Sequence, residues 1–218
     1  MPRTKQKDPF WTSYSDLMTS LFFVMLVLFI IGLIKVGSAL ADSNATREQL
    51  ENILKLEEQF KTLSKSSSLG YDEEKKMFYA KDFVGIEIFE SEDDKIKPQY
   101  LETVDKVGHD LHDILKSLSN DNFKYQLVIE GNAAIEWHNL KKGTYNADSK
   151  EMYLLSYRRA LALYNRWKFV DNLDFRKYNT EIIIAGSGFN GINRDTEVED
   201  NNKRFVIQII PKISRPKK

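Results

Sequence analysis

Asp16 is the residue with the clearest chemical potential, because of where it stands. It lies in PFWTSYSDLMTSLFFVMLVLFIIGLI, residues 9 to 34, and is the only charged residue there. A carboxylate inside a membrane span costs about 2.5–3.5 kcal/mol to insert, so such residues are functional candidates by default. Its two protonation states differ in charge, so it can take up a cation on one side and release it on the other. Asp16 follows Pro9 by roughly 10 Å along a helix axis. Position alone leaves two readings open. One is an interfacial acid at the positive end of the helix dipole. The other is an ion-carrying group facing a partner helix. Thr19 shares the helical face of Asp16 and is placed to hydrogen-bond the carboxyl group or line an ion path.

Other candidate groups are weaker. Arg158 and Arg159 stand in LLSYRRALA. A guanidinium matches a carboxylate with two parallel bonds, so Arg159 suits an anionic ligand. The bland reading is a solvated charge or a structural salt bridge. His109 and His112 flank Asp110, with Asp105 and Asp113 nearby. A metal would need further ligands from other elements, so a solvated helix face is the better reading. GSGFNG at 186 to 191 lacks the Lys-Ser/Thr of a phosphate loop and reads as a turn between strands. No local motif of a Ser-His-Asp triad or of paired carboxylates is present, so the chain reads as a non-enzyme. With no cysteine, disulfides and cysteine-ligated metals are excluded. Lys+Arg and Asp+Glu are both 32, which argues against binding nucleic acid through net charge.

The elements that must position these residues follow from hydropathy. Leu17 to Ile34 is 18 uncharged residues, or roughly 27 Å of helix, close to the hydrocarbon thickness. The run is longer than the apolar region of a cleaved signal peptide, although GSALADS offers small residues after it. Arg3, Lys5 and Lys7 precede it, which puts the N-terminus in the cytoplasm. Lys35 can snorkel to the far interface, and Trp11 and Tyr14 suit the near one. The expected layout is a basic tail at 1–9, a transmembrane helix at 10–36, a linker at 37–70, a periplasmic domain at 71–212 and a basic tail at 213–218. Thr46 can cap a linker helix bearing Leu50, Ile53, Leu54, Leu56, Phe60 and Leu63. Coiled-coil spacer, membrane plug and helix packed on the domain all remain open for it.

Beyond residue 71 the pattern is mixed. MFYAKDFVGIEIF (77–89) alternates like a strand at Val84, Ile86 and Ile88. A helix is expected from Pro98, with Leu101, Val104, Val107, Leu111, Ile114, Leu115 and Leu118 inward. KYQLVIEGNA reads as a strand. A second helix follows, capped by Asp148 or Ser149. TEIIIAGSGF and KRFVIQIIPK are further strands. The order β-α-β-α-β-β predicts an α+β fold, a sheet with two helices on one face.

Two resemblances add to this. Trp11, Tyr14, Ser15, Asp16, Leu17, Met18 and Thr19 match in order the membrane signature of the MotB family, the peptidoglycan-anchored half of ion-driven stators. The resemblance implies that Asp16 binds and releases the translocated H+ or Na+, with Thr19 in support, and that no other cofactor is needed. Residues 77 to 211 resemble the OmpA C-terminal-like, peptidoglycan-associating domain. Leu155, Ser156, Arg159 and Ala160 match its Leu-Ser-x-x-Arg-Ala helix opening. Asn202, Lys203 and Arg204 approximate its Asn-Arg-Arg, and Gly131 its glycine after the second strand. This implies wall contact by Arg159, Ser156, Leu155 and Arg204. Where the family has Gly-His-Thr-Asp, this chain has Gly131-Asn132-Ala133-Ala134. The acid for the ammonium group of the peptide stem must then come from elsewhere, with Asp148 and Glu136 the candidates.

The PFWTSYSDLMT form and the short linker look most like ZorB, the MotB-like subunit of the Zorya anti-phage system. The implied partners are a multispan MotA- or ZorA-like ring, five copies to two of this chain, a second copy of the chain, peptidoglycan and membrane lipids. The implied location is the bacterial inner membrane, spanned once. A flagellar MotB, a passive OmpA-like wall anchor and a TolR/ExbD-type transducer are the competing readings. The last is disfavoured by the extended domain.

Overall fold

The computed structural model describes residues 9–119, 123–191 and 194–212. It opens with α1, Pro9–Lys65, one helix of 57 residues. Its stretch Ser13–Asn44 is long and apolar enough to cross a membrane, and its apolar window is wholly exposed. Uncovered apolar surface costs about 25 cal/mol per Å² in water, so this stretch favours an apolar surrounding over water. The linker helix expected to start at Thr46 is instead the continuation of this same helix. No proline lies between Pro9 and Pro98 to break it.

The chain divides into two compact units, the first ending at Asn52 and the second starting at Ile53. The second therefore starts earlier than residue 71. Its reason is packing: Leu56 and Phe60 are buried, and the Phe60 ring lies 5.5 Å from Tyr71 and 5.3 Å from Phe78. Leu50 and Leu54, on the other side of α1, stay exposed.

The second unit is built on a five-stranded sheet in the order β1-β2-β5-β3-β4. The strands are β1 (Leu69–Asp72), β2 (Met77–Ala80), β3 (Lys124–Gly131), β4 (Thr180–Gly186) and β5 (Phe205–Lys212). Neighbours are antiparallel except β3 and β4, which are parallel. The helices are α2 (Leu101–Leu118), α3 (Trp137–Lys142) and α4 (Lys150–Asn165). Ser149 caps α4, its hydroxyl accepting from Met152 N. The mixed α+β class is thus as expected, with three differences. β1 starts inside the stretch assigned to the linker, and Leu69 is fully buried. β2 ends at Ala80, where a 3-10 turn over Lys81–Phe83 follows, and Gly85 takes φ +72; Phe89 and Ile96 form a lone bridge instead. α3 is a short helix in the long loop after β3.

β3 alternates strictly, with Tyr125, Leu127, Ile129 and Gly131 buried. That face meets α2 through Val104, Val107, Leu111, Ile114, Leu115 and Leu118, the stripe read from the sequence except for half-buried Leu101. Trp167, in the helical turn that follows α4, locks it to α2. It is fully buried, donates from Nε1 to Val104 O at 2.8 Å, and lies over Gly108, where a Cβ would come within 2.3 Å of its ring.

Candidate functional site

Asp16 sits on the exposed surface of α1. Trp11 and Tyr14, five and two residues before it, meet edge to face at 6.4 Å. The Thr19 hydroxyl donates to Ser15 O at 2.7 Å. It serves the helix backbone one turn back rather than the Asp16 carboxylate. The apolar stretch thus presents one carboxylate outward.

The residues named in the second unit lie at and below the C-terminal ends of β3 and β4. Here α4 approaches the sheet at backbone distance. A Cβ on Gly131 would lie 2.1 Å from Ser156 O, and one on Gly186 would lie 2.3 Å from Tyr157 N. Only glycine fits either place. Ser156 is fully buried; its Oγ donates to Tyr153 O at 3.0 Å and accepts from Gly188 N at 2.9 Å. Leu155 is buried beside it. The β4 turn closes on β3 through Ser187 N to Gly131 O at 3.1 Å and Ala133 N to Gly188 O at 3.0 Å. Asn132 is buried and accepts a short bond from Ser187 Oγ.

Arg159 stands one turn along α4 and is 6% exposed. Its Nε donates to Asp93 O at 3.0 Å and its Nη2 to Glu90 O at 3.3 Å, with Glu87 Oε1 at 3.5 Å. The guanidinium carbon is 5.1 Å from the centre of the Phe89 ring. Burial pushes the guanidinium below its ordinary value, and the Glu87 carboxylate opposes this. Arg159 thus fixes the acidic loop that runs from Glu87 to Lys95. Its carboxylate partner is Glu87, which the sequence did not single out. Asp148 is exposed before α4 and accepts from Asn190 Nδ2 at 2.8 Å. Roughly 13 Å of helix, from Lys150 onward, separates it from Arg159. Glu136 is exposed in the loop before α3, where its carboxylate accepts from Asn139. Asp148, Leu155 and Ser156 therefore share one end of the domain, and Arg159 serves a neighbouring loop.

Arg204 presents its carbonyl to Asn132 N at 3.0 Å. Its charge helps depress the Asp195 carboxyl, which sits at about 2, chiefly because Val198 N–H, Asn201 and Glu197 N–H donate to it. Asn202 is fully buried. Its Oδ1 accepts from Asp195 N at 2.8 Å and its Nδ2 donates to Asp195 O at 3.0 Å. Arg194 donates to Ala133 O at 3.0 Å and pairs closely with Glu199, which also accepts from Ile135 N. The segment after Gly131 is thereby held by Arg194 and Glu199, residues the sequence reading passed over. His109 is exposed, whereas His112 is half-buried, with its Nε2 3.0 Å from Tyr178 Oη.

No family model matches the chain, and no curated protein matches it. Among solved structures it is similar to a putative MotB-like protein from Desulfovibrio vulgaris. That match has 12% identity and a TM-score of 0.39, and covers 79% of this chain and 95% of the other. It is also similar to the C-terminal domain of Helicobacter pylori MotB, residues 125–256. There the identity is 12% and the TM-score 0.35, covering 59% of this chain and 86% of that one. A longer periplasmic piece of the same protein, residues 97–256, matches at 13% identity and a TM-score of 0.35, over 67% and 88%.

Proposed function

We propose that this chain is a MotB-like stator subunit, an ion-carrying and wall-anchored component of an inner-membrane rotary motor. The observation that carries the reading is Asp16, the one charge between Pro9 and Ile34 of an exposed apolar helix whose chain goes on to an α+β domain. The chain crosses the membrane once, with its N-terminus in the cytoplasm and its sheet domain in the periplasm. One span cannot enclose a channel, so Asp16 works against a multispan ring of the MotA or ZorA kind. Two copies of this chain stand within that ring. Proton or sodium entry releases about 2.3 kcal/mol per charge per 100 mV. Loading Asp16 removes its charge and biases its interface with the ring between two arrangements. The domain docks on peptidoglycan and gives the ring something to turn against. Its contact surface is the end of the domain that buried Leu155 and Ser156 underlie, with Asp148 supplying the acid for the stem's ammonium, Arg204 at the same end and Arg159 holding the adjacent loop. The PFWTSYSDLMT form favours a Zorya-type defence motor over a flagellar one.

The test is Asp16→Asn in cells that depend on this chain. The expected result is loss of function with unchanged membrane insertion and abundance. Full function in that variant would leave the passive wall anchor as the better reading. Retention of the solubilised chain on purified sacculi, lowered by Asp148→Asn, tests the wall contact separately.

A further inference from the structure

β4 is the outermost strand and bonds to β3 alone. Tyr125 N–H donates to Asn179 O and Ser187 N–H to Gly131 O, in unbroken parallel register between. In a parallel ladder alternate residues bond inward, and the rest turn both backbone groups away. Glu181, Ile183 and Ala185 therefore bond to β3. Thr180, Ile182, Ile184 and Gly186 direct N–H and C=O to the open side. Among the described residues no strand covers that side. The edge also lacks the usual defences, since TEIIIAG has no proline, no lysine and three successive isoleucines. On α4, Tyr157 is 39% exposed. The contact between the Tyr157 backbone and Gly186 puts Tyr157 over this strand.

We propose that the β4 edge joins two copies of this chain, strand against strand and antiparallel, about a two-fold axis at Ile183. This deepens the stator reading and rests only on its premise of paired copies. A second copy is the occupant that the sequence of the strand fits. The register that pairs all seven residues sets Thr180 against Gly186, Ile182 against Ile184 and Ile183 against itself. Every outward-bonding residue then meets another. Glu181, the one charge, meets Ala185 and not a second Glu181; like charges directly opposite would be destabilising. The same patch serves both partners, as a closed two-fold contact requires. Tyr157 of each copy lies at the Gly186 end of the paired strands, and the two sheets become one.

The chain has no cysteine, so single cysteines report the contact in the full-length protein. Ile183 would meet its copy at a non-hydrogen-bonded pair, with Cα atoms about 4.5 Å apart, within disulfide range. Under mild oxidation in native membranes, Ile183→Cys should convert most of the chain to a linked dimer. Glu181→Cys alone should stay monomeric, its two copies being about 13 Å apart. Glu181→Cys co-expressed with Ala185→Cys should give the mixed dimer. Linking of Ile183→Cys no better than Glu181→Cys, or absence of the mixed dimer, overturns the proposal. Asp16→Asn in the Ile183→Cys chain separates the two ideas: lost function with intact linking leaves both standing, and intact function with intact linking sinks only ion carriage.

Discussion

Gly131→Ala and Gly186→Ala press on the same peptide bond from two strands, which makes their combination informative. The new methyl at 131 would lie 2.1 Å from Ser156 O, and the one at 186 would lie 2.3 Å from Tyr157 N. Carbonyl and amide belong to one rigid unit, so neither can yield without moving α4. The helix must withdraw by roughly 1 Å, an overpacking that costs about 1–3 kcal/mol. Withdrawal also stretches the Ser156 to Gly188 bond, now 2.9 Å, worth about 1 kcal/mol more. Each single variant should therefore lose about 2–4 kcal/mol. Once α4 has moved for one methyl, the second finds space. The double variant should lose little more than the worse single, an interaction energy of about 1–3 kcal/mol. Guanidinium unfolding of the purified chain in detergent, followed by near-ultraviolet circular dichroism, measures all four corners of the cycle. Losses that add to within about 0.5 kcal/mol would refute the shared-peptide argument.

Acid unfolding offers two further tests with opposite signs. Asp195 is held at about 2, below its unfolded value of about 3.9. Its contribution is present above the unfolded value and lost as pH falls through about 2, so Asp195→Asn should flatten the unfolding midpoint between about pH 4 and pH 2. Burial, and then the Asp105 carboxylate, push Asp171 up. Its contribution is full below the ordinary carboxylate value and lost as pH rises through the folded one, so Asp171→Asn should gain on the parent as pH rises from acid to neutral. Arg159→Lys keeps the charge but loses the fork that spans Glu90 O and Asp93 O. Hydrogen exchange should quicken across residues 87–97, where Glu90 N and Lys97 N are bonded, and stay slow in β3. Equal exchange in parent and variant would count against Arg159 as the brace of that loop.

Periodicity carried the sequence reading where one face is buried along a whole element. The inward stripe of α2 was legible for this reason. It failed where tertiary contact overrides local composition. Leu69 looks like part of a serine-rich linker, but it is fully buried, and Gly70 admits the Tyr79 ring where a Cβ would lie 2.4 Å from Cζ. Val84, Ile86 and Ile88 alternate without making a strand, since the turn at Gly85 leaves no neighbour to pair with. At the candidate site the residue types could be read, but not their partners. Arg159 was visible, whereas Glu90 and Asp93 meet it through carbonyl groups, which every residue has and no motif marks. Arg194 and Glu199 are five positions apart in a loop without period, and only the fold shows that they hold Ala133 and Ile135.

The burial of Ser156 and Arg159 bears on how sequences like this one are searched for. Both positions have duties inside the domain: Ser156 ties the helix to the β4 turn, and Arg159 ties it to the acidic loop. Selection for folding alone would keep them. A string such as Leu-Ser-x-x-Arg-Ala therefore reports a way of seating a helix on a sheet, whatever the domain grips. To sort members of such a set by ligand, the informative positions are those with no internal duty, and Ala134, where the acid is missing, is the first to compare.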